Sequence, residues 1–242
     1  MRKIKNYCKK SLNDFCKKIL LNILTVMSVN QSAYAGGADN PLLSLVVMDR
    51  LEVLNNDEKT RVWEGSARFG YDINKLYFYT AGEATADGLE SSQHELVYSR
   101  AIAPFWDAQI GLAYDKNADA SKTWVEIAIA GLAPYYFETR AALLVNGDGN
   151  VGLRVDAEYE TLFTQKLILS SSVEADFYTK DDATLGIGSG LSTMEAGLRL
   201  RYEIKREFAP YVGLTWAKTF GNTRNYNAFN ETNFLVGVRF WF

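Results

Sequence analysis

Few side chains in this sequence could bind a soft or borderline transition metal. The chain has one histidine, His94, and beyond residue 35 it has two methionines, Met48 and Met194. Imidazole and thioether groups bind such metals when several converge on one point. These three residues lie far apart in sequence without a ligand spacing, so they are weak candidates for a metal site. Both cysteines, Cys8 and Cys16, lie in a segment that we predict to be removed.

Acidic residues offer a second set of metal-ligand candidates. Asp181 and Asp182 stand side by side in a long polar stretch, and Asp156, Glu158 and Glu160 alternate along one segment. Carboxylates bind hard or borderline cations and give little selectivity for copper. These groups could therefore hold a hard or borderline cation, but without selectivity for copper.

A hydrolytic site is the third chemistry to consider. Glu90, Ser92 and His94 would share one face of a strand, which could supply a nucleophile and a base. With a single histidine in the chain and no further base in this pattern, we predict no catalytic residues, no bound organic cofactor and no enzymatic activity.

The segments that carry these residues alternate apolar and polar side chains with a period of two, which is typical of β-strands. From residue 43 onward the pattern predicts twelve strands of about ten residues, the length that spans a membrane in a tilted barrel. The predicted strands are 43–54, 61–70, 75–84, 93–102, 105–116, 123–132, 135–146, 151–162, 166–177, 194–205, 209–220 and 232–242.

The connections between the predicted strands alternate between short and long. The short ones include two Ala-Pro pairs, at 103–104 and 133–134, and a third Ala-Pro pair at 209–210 begins the eleventh strand. Short turns on one rim and longer polar loops on the other are typical of outer-membrane barrels, whereas a β-sandwich has no reason to sort its loops. The sequence therefore predicts an all-β fold, a closed antiparallel transmembrane β-barrel of about 12 strands.

In such a barrel the apolar strand faces contact lipid and the charged faces line the lumen. Leu198, Leu200 and Tyr202 are therefore expected to face lipid. The charges expected to face the lumen mix both signs, so either mutual ion pairing or an ion pathway is open to them, and the pattern does not determine whether the lumen is open or plugged. These residues are Glu64, Arg68, Glu126, Glu138, Arg140, Arg154, Glu158, Arg199, Arg201 and Glu203.

The first 35 residues are predicted to be a signal peptide. A basic stretch precedes the apolar run 19–29, and Ala33-Tyr34-Ala35 is a small-x-small cleavage site. This leader holds seven of the 26 Lys and Arg but one of the 29 Asp and Glu, so residues 36–242 carry 19 basic and 28 acidic side chains. The acidic balance excludes a basic nucleic-acid surface. We predict residues 36–242 to be one barrel domain, exported to the outer membrane of a Gram-negative bacterium.

Several long stretches resemble the copper-resistance protein B family, and together they extend over about 42–242. They are YSRAIAPFWD (98–107), GLAPYYFE (131–138), AEYE (157–160), LGIGSGLS (185–192), EAGLRLRYEI (195–204), REFAPY (206–211) and VRFWF (238–242).

The resemblance implies an outer-membrane protein that binds or handles copper at the cell envelope and supports copper tolerance. Members of that family commonly carry a Met- and His-rich segment before the barrel, whereas residues 36–41 contain neither residue. We therefore expect the barrel itself to bind copper weakly, through acidic loops, through the lumen or with a periplasmic partner that carries the ligands. The alternative function is a passive pore or structural barrel without a metal role.

Overall fold

The computed structural model describes residues 41–117 and 120–242, and within these residues the chain forms twelve strands. This confirms the predicted closed antiparallel barrel. The predicted leader and its cleavage site lie outside the described residues. The strands are β1 (Leu43–Leu54), β2 (Arg61–Gly70), β3 (Asn74–Ala84), β4 (Leu89–Ala103), β5 (Trp106–Asn117), β6 (Ser121–Ala133), β7 (Phe137–Val145), β8 (Val151–Leu162), β9 (Leu167–Tyr178), β10 (Gly190–Tyr202), β11 (Phe208–Thr219) and β12 (Asn230–Trp241).

Every strand pairs with its neighbours in the sequence, and β1 pairs with β12 to close the sheet. At the junction the Val46 amide donates to the Phe242 carbonyl at 2.9 Å, and the Phe242 amide donates to the Val46 carbonyl at 3.0 Å. Closure matters because lipid offers no hydrogen bonds to the unpaired backbone groups of a free sheet edge. Among the described residues, no helix has the length and apolar character needed to cross a membrane.

Side chains alternate between the two faces of the wall, as β10 illustrates. Leu198, Leu200 and Tyr202 are 49%, 38% and 50% exposed on the outer face, whereas Arg199 and Arg201 are each 6% exposed. Large apolar groups therefore cover the outside of the barrel and charged groups fill its inside. This arrangement is inverted relative to a water-soluble domain and is typical of a barrel whose outer face contacts lipid.

Two short turns differ from the predicted strand limits. Phe105, Tyr135 and Tyr136 were predicted to begin strands, but they lie in turns with φ of 68°, 67° and 66°. Pro104 and Pro134 explain the difference, because proline removes a backbone donor and fixes its own φ, so the chain turns at the proline instead of continuing the ladder. The three aromatic side chains project outward from the rim of short turns.

Two irregularities in strand pairing change which way side chains point. The register of β1 shifts between Met48 and Arg50 against β2, which makes Asp49 an extra residue. In β4 the register shifts against β3, where Glu83 pairs with Ser91 and Ala84 pairs with Leu89, so that Glu90 is extra. Such β-bulges re-aim side chains and increase the local twist. Each bulge places an acidic residue beside the lumen.

The predicted limits of two other strands were wrong by several residues. β4 begins at Leu89 rather than at 93, and β10 spans Gly190–Tyr202 rather than 194–205. The small and polar residues within 89–92 and 190–193 are typical of a loop, yet these segments continue the hydrogen-bonded ladder. The connection after β9 therefore comprises residues 179–189, and the one after β3 is a tight turn.

Because Leu200 is assigned to the lipid-facing side, a charged substitution there should destabilise the barrel more than an apolar one. Leu200→Arg should lower the free energy of unfolding in lipid vesicles by about 2–4 kcal/mol, because it places a guanidinium against the hydrocarbon of the bilayer. Leu200→Ala, which adds no charge at the same position, should cost less. Equal losses in denaturant unfolding of the two variants would contradict the assignment of this face to lipid.

Candidate functional site

The inward faces of the strands enclose two cavities that meet inside the barrel. The larger one, the loop-side cavity, has a volume of about 1040 Å³ and reaches the long connections that follow β1 and β11. The smaller one, the turn-side cavity, has a volume of about 480 Å³ and reaches residues beside the short turns that follow β6 and β8. The candidate functional site is this pair of cavities.

Carboxylates dominate the lining of the loop-side cavity. Its arginines are Arg50, Arg140 and Arg154. A cavity with one sign of charge inside walls of low dielectric constant raises the local concentration of ions of the opposite sign. The lining of this cavity therefore has more acidic than basic side chains. Its acidic residues are Asp49, Glu52, Asp57, Glu58, Glu64, Glu83, Glu90, Glu95, Asp156, Glu174, Asp176, Glu195 and Glu231.

The turn-side cavity has a more balanced lining. Its acidic residues are accompanied by Arg50, Arg140, Arg199, Arg201 and Arg239. The balance means that this cavity has a weaker net field than the loop-side cavity. Its acidic residues are Asp49, Glu64, Glu138, Asp156, Glu158, Glu160 and Glu174.

Most of the lumen-facing charges singled out from the sequence line these cavities, whereas Arg68, Glu126 and Glu203 line neither. Glu158, Arg199 and Arg201 line the turn-side cavity, and Arg154 lines the loop-side cavity. Glu203 follows the end of β10, with its carboxylate 3.7 Å from the Arg201 guanidinium. The structure therefore distributes these residues along the lumen instead of gathering them at one point.

Arginines on β7 and β8 connect the strands of one half of the barrel. Arg154 binds Asp115 on β5 at 2.6 Å and Glu95 on β4 at 3.2 Å. Arg140 binds the same Glu95 at 2.6 Å and also pairs with Glu126. All five side chains are largely buried. Their ion pairs therefore fill this half of the lumen.

A second buried network connects β1 to β10 and β11. Arg199 on β10 forms a two-pronged contact with Glu52 on β1, at 2.9 and 3.0 Å. The Tyr211 hydroxyl donates to the same carboxylate at 2.9 Å. Fork-like arginine–carboxylate contacts combine charge attraction with fixed geometry. This contact stabilises the lumen beside the β1–β12 junction.

The connection after β9 folds against the inner wall of the barrel. Leu185 and Ile187 pack on a buried apolar cluster formed by Ala113, Trp124, Leu144 and Tyr178. Gly188 lets the same loop approach the connection after β11, because an added Cβ would lie 2.0 Å from the Thr223 amide nitrogen. The loop therefore covers one side of the lumen and leaves the loop-side cavity on the other.

Asp181 and Asp182, the acidic loop residues proposed as metal ligands, fix this loop in place. Backbone and side-chain hydrogen bonds from Ser189 lower the pKa of Asp181. Burial would raise the pKa of Asp182, but its contacts with Lys122 and Thr184 outweigh that effect and lower it. The two carboxylates bind separate partners, so the structure does not bring them together on one ion.

The three soft or imidazole candidates lie on separate parts of the wall. Met48 is on β1, His94 on β4 and Met194 on β10, and no two of these strands are neighbours. The His94 Nδ1 atom lies 3.0 Å from the Thr80 hydroxyl, and its ring stacks on Phe78. Within the described residues, no group of three or more His, Cys, Asp or Glu side chains is arranged to hold a metal ion.

The bulge in β4 separates one residue of the hydrolytic alternative from the other two. The bulge in β4 makes Glu90 part of the loop-side cavity lining, whereas His94 contacts Thr80 and Phe78. Ser92 is buried and pairs across the sheet with Gly82. The bulge interrupts the alternation at Glu90, so Glu90 leaves the strand face that Ser92 and His94 still share.

Sequence patterns missed four residues that the structure places in the lumen networks: Arg50, Glu52, Glu95 and Asp115. One signal was available for Arg50, because the adjacent charges Asp49 and Arg50 interrupt the alternation of β1 and mark a bulge. The long-range partners carry no such signal, since they depend on which strands face one another across the lumen.

The ion pairs of Arg154 on β8 predict that removing this arginine greatly destabilises the barrel. Arg154→Gln leaves Asp115 buried without its arginine and leaves Glu95 with Arg140 alone, so the free energy of unfolding should fall by about 3–5 kcal/mol. Arg206→Gln, at an exposed turn position, should stay within about 0.5 kcal/mol of wild type. Denaturant unfolding of the refolded barrel measures both, and similar small losses would show that the pairs are solvent-screened.

Comparison with known proteins agrees with this fold. The NanC porin structure superposes with a TM-score of 0.53 at 12% sequence identity, covering 83% of this chain and 99% of the porin. At this identity the similarity shows the fold alone. The fold is that of outer-membrane barrels.

Sequence comparison identifies the family. Residues 42–242 match the family described as Copper resistance protein B precursor (CopB). Copper resistance protein B of Escherichia coli is 36% identical over 210 residues, covering 84% of this chain and 71% of that protein. The Copper resistance protein B homolog of Pseudomonas syringae pv. tomato shows the same identity and coverage. The chain therefore belongs to the copper resistance protein B family.

Proposed function

We propose that the mature chain is an outer-membrane barrel that contributes to copper tolerance by drawing copper and other cations into an acidic lumen. The observation that carries this proposal is the charge of the loop-side cavity, in which carboxylates far outnumber the arginines Arg50, Arg140 and Arg154. Family membership supplies the link to copper. The outward-facing apolar side chains support a location in lipid.

Copper in this proposal is cargo attracted by charge. The lumen offers carboxylates, which bind copper ions with low selectivity, and the thioether and imidazole candidates are dispersed over the wall. A cavity of this kind concentrates cations through its summed field and releases them easily, since no single site holds them tightly. Copper coordination would then fall to a periplasmic partner with soft ligands. We propose no enzymatic activity for the chain.

The passive-pore alternative shares the same lumen and differs in its biological consequence. A passive pore would admit cations without affecting copper tolerance. Growth assays in the presence of copper therefore distinguish the two functions, whereas conductance measurements do not.

Growth across a copper series tests the proposed function. A deletion strain should be more sensitive to copper than its parent, and plasmid-borne wild type should restore tolerance. A Glu83→Gln, Glu90→Gln variant, which neutralises two carboxylates of the loop-side cavity outside the ion pairs described above, should restore less.

The matched control neutralises two acids outside both cavities. Asp87→Asn with Glu207→Gln removes the same charge from exposed positions, one of them in the turn between Glu83 and Glu90, and should restore tolerance fully. Growth of the deletion strain at the parental level throughout the series would refute the role in copper tolerance. Equal rescue by both double variants would refute the proposed role of the charge of the loop-side cavity in copper tolerance.

A further inference from the structure

We propose that Arg50 forms the constriction of the lumen and determines which ions pass between the two cavities. This inference rests on the proposed function, since it concerns the route of cations through the same lumen. It begins from where the cavities meet. Both are lined by Asp49, Arg50, Glu64, Arg140, Asp156 and Glu174, which places these residues at the level between them.

At this level the Arg50 side chain crosses the lumen. Its Nε atom lies 2.9 Å from Glu64 on the neighbouring strand β2, and one terminal nitrogen lies 2.5 Å from Glu174 on β9. The same terminal nitrogen donates to the Ser172 hydroxyl at 3.3 Å. β2 and β9 are five strands apart around the β1–β12 junction. The guanidinium therefore connects distant walls instead of lying along its own.

The surroundings of Arg50 hold it in this position. The residue is 8% exposed, and Glu195 on β10 adds a third carboxylate at 3.8 Å. The β-bulge at Asp49 precedes it directly and sets the direction in which its side chain leaves the wall. A planar guanidinium with several donors suits such a multiple contact, and it stays protonated at all physiological pH values.

Two consequences for permeation follow from one side chain. The guanidinium occupies space between the two cavities, so it narrows the path. It also adds a permanent positive charge next to Arg140 at this level, which opposes the passage of cations that the loop-side cavity has attracted. The geometry makes Arg50 the residue that limits cation flow and sets its selectivity.

Arg239 provides a matched control for charge. It lines the turn-side cavity and pairs with Asp49 at 3.0 Å, but β12 and β1 are adjacent, so its side chain follows the wall. Arg239→Gln removes the same charge as Arg50→Ala without removing a group that crosses the lumen. A difference between the two variants therefore isolates the effect of the crossing.

The test is conductance and reversal potential of the full mature barrel in planar bilayers under a potassium chloride gradient. Arg50→Ala should raise conductance at least about twofold and shift the reversal potential toward that of potassium, because a pore is limited by the width and charge of its narrowest part. Arg239→Gln should stay close to wild type. Unchanged conductance in Arg50→Ala, or equal changes in both variants, would overturn the proposal.

A second variant keeps the test decisive if Arg50→Ala does not fold. Ser172→Ala with Glu174→Gln removes the attachment points on β9 and leaves Arg50 beside Glu64 and Glu195, so conductance should again rise. No rise in a folded double variant would also overturn the proposal. If conductance does not rise, the role of Arg50 is refuted, but the result of the growth test does not change. If the deletion strain grows normally, the role in copper tolerance is refuted, but the conductance of Arg50→Ala does not change.

Discussion

Arginine–carboxylate contacts across the lumen are the interaction on which this barrel depends. An acidic interior enclosed by a lipid-facing wall would repel itself, because charges separated from bulk water interact strongly. Arg50, Arg140, Arg154 and Arg199 relieve this repulsion by binding carboxylates on strands that are distant in sequence. The same contacts fix the shape of the lumen, so stability and permeation are linked through a few side chains.

These contacts divide the lumen unequally. Around β4 to β9, ion pairs and the apolar cluster beside Trp124 fill the space, and the loop after β9 covers it. On the other side, the loop-side cavity stays accessible from the long connections and keeps an excess of carboxylates. We propose that a barrel built in this way attracts cations on one side and restricts their passage further along the lumen.

The fold was predictable from sequence because alternation with a period of two is a local property, and so are the short and long connections. The faces of β10 followed from the same alternation. The turns at Phe105 and Tyr135 were missed because the apolar pattern predicts that a strand begins there, whereas the preceding proline favours a turn. The constriction was missed for a different reason. The partners of Arg50 on β2, β9 and β10 are set by barrel closure and by the bulge at Asp49, which act over long distances in the sequence.

The central claim is that this member of the copper resistance protein B family acts on copper through the charge of its lumen, without a chelating site. Calorimetric titration of the refolded barrel with Cu(II), at low and at high salt, tests it most directly. Charge attraction predicts weak copper binding that declines as salt screens the carboxylates. Other divalent cations should bind with similar affinity. Sub-micromolar, copper-selective binding that persists at high salt and is abolished by His94→Ala would contradict it.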